Sequence, residues 1–80
     1  MTLSDVLEKY GNKDCVIEYR TYCTVDSKRT DVLAGMAQYK NKMLISMDGD
    51  SYSLNDKLIK EEKVRDDWIT VWYESRWIKG

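Results

Sequence analysis

Trp68-Ile-Thr-Val-Trp-Tyr-Glu-Ser-Arg-Trp-Ile78 holds all three tryptophans of an 80-residue chain. Ile69, Val71, Tyr73 and Trp77 alternate with Trp68, Thr70, Trp72, Glu74 and Arg76. A two-residue period filled with β-branched and aromatic side chains predicts a strand over residues 68–77. Large aromatics fall on both faces, so the simple pattern of one buried and one wet face does not apply. The strand is therefore expected in a closed or strongly curved sheet, or with one face reserved for a partner.

The composition bounds what such a strand can belong to. Eighty residues make one domain, residues 1–80, close to the smallest size that one hydrophobic core stabilises without disulfides or metal. Apolar content of 42% with 34% charge is that of a folded globular chain, and no apolar run is long enough to span a membrane. The segment Met1-Thr-Leu-Ser-Asp5 has no basic stretch leading into an apolar one, which leaves the cytoplasm of a bacterial cell as the expected location. A formal charge of −1 creates no broad positive field for nonspecific nucleic-acid binding. Cys15 and Cys23 fall on one expected strand, about 26 Å apart at the rise of an extended chain, too far for an intrachain disulfide. The chain has no histidine, which removes the usual general base and transition-metal ligand.

Taken in order, Thr2 and Asp5 have the spacing of a helix cap, and Leu3, Val6, Leu7 and Tyr10 form one helical face closed by Gly11. A short helix over about 3–10 is expected. Cys15, Ile17, Tyr19 and Cys23 alternate with Glu18, Arg20 and Thr24, a strand over about 15–25. The polar run Asp26–Asp31 reads as a connecting loop whose Lys28 and Arg29 are solvated rather than bound to phosphate. Strands over 32–39 and 43–47 flank Lys40-Asn41-Lys42, the spacing of a tight hairpin, and Gly35 inside the first marks a bulge or sharp bend. Asn55 could cap a helix, but the alternation of Leu58, Lys60, Glu62 and Val64 favours a strand over 58–64, turned by Asp66-Asp67 into the tryptophan strand. The expected fold is α+β and mainly β: a short N-terminal helix followed by a strongly curved antiparallel sheet of about five strands, a small SH3-like or Sm-like barrel.

The run Gly35-Met-Ala-Gln-Tyr-Lys-Asn-Lys-Met-Leu-Ile45 resembles the first signature of Sm and Sm-like proteins through Gly35, Asn41 and Met43-Leu-Ile45. It departs from that signature at Ala37 and Lys40, and residues 68–78 contain no counterpart of the family's second, arginine-glycine signature. The resemblance implies single-stranded RNA binding, with Tyr39 stacking on a base, Lys40 and Lys42 meeting phosphate, and Asn41 between them. By its length, capped helix and Tyr/Trp-rich end, the chain also resembles small orphan proteins of phages and mobile elements of Gram-positive bacteria, some of them anti-CRISPR inhibitors. That resemblance implies a stand-alone inhibitor of a bacterial defence protein such as a CRISPR effector nuclease.

The chemistry legible in the residues favours binding over catalysis. Asp48, Asp50 and Asp56 lack the spacing of a calcium loop, and no phosphate loop, nucleophile elbow or Cys-X-X-Cys pair occurs. No cofactor or metal is expected, and no enzymatic activity. Trp, Tyr and Arg dominate protein-interface hot spots, so Trp68, Trp72, Tyr73, Arg76 and Trp77 are the candidate protein-binding residues, with one face of their strand committed to core. The expected partner is a bacterial protein, nucleic acid is second, no membrane is involved, and the chain is a monomer or homodimer.

Overall fold

The computed structural model describes residues 1–11 and 13–73. Helix α1, Leu3–Tyr10, opens with the anticipated capping box: the Asp5 amide donates to Thr2 Oγ1 at 3.2 Å and the Thr2 amide to Asp5 Oδ2 at 2.9 Å. It closes on Gly11 at φ 64°, where a glycine adopts the left-handed conformation without steric cost. Five strands follow: β1 Cys15–Val25, β2 Lys28–Lys40, β3 Met43–Ser46, β4 Leu58–Arg65 and β5 Trp68–Tyr73. The last portion of the expected tryptophan strand, including Arg76 and Trp77, lies outside the described residues.

The strands form one mixed sheet in the order β3-β2-β1-β5-β4. Two features differ from the sequence reading. The sheet is not antiparallel throughout, because β1 and β5 run parallel, with Val16 opposite Trp68 and Arg20 opposite Trp72. The Val16 amide seals the start of that pairing by donating to Asp67 O at 2.8 Å. Nor does the sheet close: β3 and β4 stand at opposite edges, so no barrel forms among the described residues. Parallel and antiparallel strands share the two-residue side-chain period, so the alternation in β5 could not reveal its direction relative to β1.

Hairpin turns explain most of the local geometry. Asp26 and Ser27 have φ of 50° and 63°, and Asn41 and Lys42 have φ of 53° and 62°. Consecutive positive φ values define the two-residue turn whose twist matches paired strands, and after glycine Asn and Asp tolerate it best. The run from Asp26 to Asp31 is thus not a loop but a tight turn at Asp26-Ser27 followed by strand, and β2 begins four residues earlier than its apolar pattern indicates. Between Tyr19–Gly35 and Arg20–Leu33 the register shifts by one residue, leaving Ala34 as a bulge beside Gly35, as the glycine foretold.

Alternation assigns each side chain to a face. Cys15, Ile17, Tyr19 and Thr21 of β1, Ala37 of β2, and Ile69, Val71 and Tyr73 of β5 line the inner face, and all are buried. Helix α1 covers part of it with Leu3, Val6 and Leu7. Each such side chain contributes roughly 1.5–3 kcal/mol of hydrophobic free energy, so the helix is held by packing rather than by its own propensity. The connection from β3 to β4 packs on the same face, stacking Tyr52 on Tyr19 with ring centroids 3.9 Å apart. Tyr73 extends the stack at 5.2 Å from Tyr19, and its hydroxyl donates to Asp56.

Asp48 locks that connection to the sheet. It accepts from Tyr52 Oη at 2.6 Å, Ser46 Oγ at 2.8 Å, and the amides of Met36 and Asp50 at 3.1 Å. The carboxylate reaches its place because residue 35 has no side chain: a Cβ there would lie 1.6 Å from Asp48 Oδ2 and 1.8 Å from Tyr52 Oη. Close approach is therefore a second reason for Gly35, beyond the bulge.

Candidate protein-binding face

On the opposite side of the sheet, β1 presents Glu18, Arg20 and Tyr22, β5 presents Trp68, Thr70 and Trp72, and β4 presents Lys60, Glu62 and Arg65. Helix α1 lies against the other face, and Trp72, although only 5% exposed, stands apart from the main core cluster. Its indole N–H donates to Asp31 Oδ2 at 2.8 Å, and the Lys60 ammonium lies 4.5 Å from the ring centroid. Arg20 binds the other oxygen of Asp31 and also reaches Glu18 Oε1 at 3.0 Å. With Trp72 first and Arg20 second among its donors, Asp31 is held below the usual carboxylate range, and Arg20 is pushed up by the same contact.

Three cation–aromatic pairs cross this surface: Lys60 over Trp72, Arg65 over Trp68 at 5.5 Å, and Arg29 over Tyr22 at 4.2 Å. Tyr22, Arg29, Ile59 and Lys60 line an open depression of about 420 Å³ beside Trp72. Arg65 also pairs with Asp67 at 2.7 Å, whereas neither Arg29 nor Lys60 forms an ion pair among the described residues. The depression is thus walled by two cations, an aromatic ring and an aliphatic side chain, with Lys60 also acting on the nearby Asp31 carboxylate.

The residues singled out from sequence fall in different places. Trp68 is half-buried and Trp72 nearly covered, both on the outer face. Tyr73 is in the inner core, with its hydroxyl committed to Asp56. Arg76 and Trp77 lie outside the described residues. The hairpin set divides as well: Tyr39 packs toward the inner core, and with Lys42 it lines a cleft of about 270 Å³ shared with Ser4, Leu7, Glu8 and Leu54 of the inner side. Lys40 alternates to the outer face, and the Asn41 amide is bound to Asp14 Oδ1 at 3.1 Å. Tyr39 and Lys40 therefore do not share a surface.

Sequence reasoning gave no role to Tyr22, Asp31 or Lys60, and weighed Arg29 only as a solvated loop residue or a phosphate contact. Each sits in a segment that reads as an ordinary polar strand or loop. Their significance depends on β1 pairing with β2 on one side and β5 on the other, which places Asp31 of β2 within reach of Trp72 on β5. One local signal was present: Arg29 and Asp31 are two apart, so once residues 28–31 are taken as strand they share a face.

The class of molecule is then a small α+β domain with one short helix and a five-stranded mixed sheet. No known protein family matches the chain, and neither curated proteins nor solved structures include a significant match to it. No helix among the described residues is long and apolar enough to cross a membrane.

Proposed function

We propose that this chain is a non-enzymatic protein-binding module that engages an acidic segment of a bacterial protein through the outer face around Trp68, Trp72, Lys60 and Arg29. The observation that carries the proposal is the row of cations seated on aromatic rings on the sheet face opposite the helix. Arg, Tyr and Trp in that arrangement combine large apolar area, pre-ordered donors and little rotamer entropy left to lose, the properties of interface hot spots. The Arg29 guanidinium and Lys60 ammonium, in no close ion pair among the described residues, offer donors to carboxylates, and such charges act mainly on association rate and specificity. In its most specific form the partner is a defence nuclease such as a CRISPR effector, the chain acts as its inhibitor in the bacterial cytoplasm, and no cofactor is needed.

Capture from nuclease-treated bacterial lysate tests the proposal, comparing the wild-type chain with Arg29→Glu/Lys60→Glu. Both altered residues are solvent-facing and outside the core, so the double variant should fold, with its unfolding midpoint lowered only by the loss of the two cation–aromatic contacts. A protein retained by the wild type and lost by the double variant supports the proposal. Equal retention by both, or recovery of nucleic acid alone from untreated lysate, overturns it; the latter outcome belongs to an RNA-binding role centred on Lys40 and Lys42.

A further inference from the structure

The two edges of the sheet are built differently. Strand β4 carries Lys60, Glu61, Glu62, Lys63 and Arg65, and its register slips at Ile59 and again at Val64. Charges and bulges of this kind protect an edge from pairing with another strand. Strand β3 has neither. From Met43 to Met47 there is no charged residue, and its pairing with β2 is regular from Lys40–Met43 to Ala37–Ser46.

The register fixes which backbone groups face outward. Lys40 and Met43 close a two-residue turn, so they form a hydrogen-bonded pair, and bonded and non-bonded pairs alternate from there. Gln38–Ile45 is the next bonded pair, and the Met47 amide donating to Met36 O at 2.9 Å continues the series. The N–H and C=O groups of Leu44 and Ser46 consequently point away from β2, off the open edge. Alternation also puts Met43, Ile45 and Met47 on one side of the strand, where they are 62%, 45% and 59% exposed.

We propose that β3 pairs with β3 of a second copy of this chain, antiparallel about a two-fold axis through Ile45, joining two sheets into one. This site shares no residue with the binding face described above and stands independently of it. In that register Leu44 lies opposite Ser46 of the other copy, so the outward groups satisfy one another in about four main-chain hydrogen bonds. Ile45 meets Ile45, and Met43 meets Met47, so all three exposed apolar side chains find apolar neighbours across the junction. Charge selects the direction. Lys42 precedes the strand and Asp48 follows it, so antiparallel pairing brings cation toward carboxylate at each end, whereas parallel pairing would set like beside like. The strand is short, so the interface falls in the small, weak and concentration-dependent class.

Sedimentation equilibrium of the full chain from micromolar to millimolar concentration tests this. The wild type should move reversibly from monomer to dimer. Ile45→Lys places two ammonium groups against each other on the axis and should weaken association by about tenfold or more. Ser46→Pro removes an outward N–H that β2 does not use, and should do the same, while Ser46→Ala associates like the wild type. Thermal unfolding by circular dichroism establishes that each variant is folded, and Ile59→Lys on the opposite edge should leave association unchanged. A wild type that stays monomeric at millimolar concentration, or association that survives Ile45→Lys and Ser46→Pro, overturns the proposal. So does association lost equally on Ile59→Lys.

Discussion

Replacing Gly35 by alanine adds one methyl group, and the structure dictates where it goes. The new Cβ would stand 1.6 Å from Asp48 Oδ2 and 1.8 Å from Tyr52 Oη, so both must leave. Asp48 then forfeits its bonds from Tyr52 Oη at 2.6 Å and the Met36 amide at 3.1 Å, and its bonds from Ser46 and Asp50 are disturbed as it moves. The carboxylate is exposed, so each bond is worth the lower part of the usual range, about 0.5–1 kcal/mol. Four bonds together amount to roughly 2–4 kcal/mol. Alanine offsets about 0.5–1 kcal/mol of that by restricting the unfolded chain. The net expectation is a loss of about 1–3.5 kcal/mol, a large share of the stability of so small a domain. Urea unfolding followed by tryptophan fluorescence measures it, and each kcal/mol should lower the thermal midpoint by about 4–8 °C. The decisive comparison uses a background carrying Asp48→Ala and Tyr52→Phe, where both obstacles are gone. There Gly35→Ala should cost less than about 0.5 kcal/mol, because the interactions it destroys are already absent. An equal cost in the two backgrounds would refute the close-approach explanation and leave the Ala34 bulge as the reason for glycine.

The same carboxylate sets a pH response. Tyr52 foremost, with Ser46 and the Asp50 and Met36 amides, lowers Asp48 from 3.8 to about 2. The folded state binds its proton more weakly than the unfolded state, so this contribution is complete above about pH 4 and disappears as pH falls toward about 2. Asp48→Asn should be less stable than the wild type at neutral pH and show a shallower loss between those limits; identical acid-unfolding curves would contradict the assignment. The two tryptophans of β5 should separate in urea unfolding. Trp72→Ala removes a nearly buried ring and its bond to Asp31 and should cost about 3–5 kcal/mol, whereas Trp68→Ala should cost about 1–2 kcal/mol because Trp68 is only half-buried. Equal losses would mean that the outer face does not distinguish them.

Much of the fold was written locally. Thr2, Asp5 and Gly11 cap their helix through groups three to four residues away, and the two positive-φ turns depend on Asp26-Ser27 and Asn41-Lys42 alone. The alternation of Leu58 to Val64 and the Asp66-Asp67 turn placed a strand and hairpin where a helix was also conceivable. The candidate site was legible only in part. Trp68 and Trp72 stood out by residue type, but Tyr22, Arg29, Asp31 and Lys60 carried no pattern that separates them from ordinary polar strand residues.

By itself the sequence determined the helix, the number of strands and the inward side of most of them, since capping, turn chemistry and hydrophobic period act over a few residues. Tertiary structure alone decided that β1 and β5 lie side by side and parallel, that the sheet stays open, and that Asp31 reaches Trp72. Those outcomes join residues 41 to 52 positions apart. They depend on which strands pack together to bury the most apolar surface, a competition among whole arrangements that no short window of sequence contains.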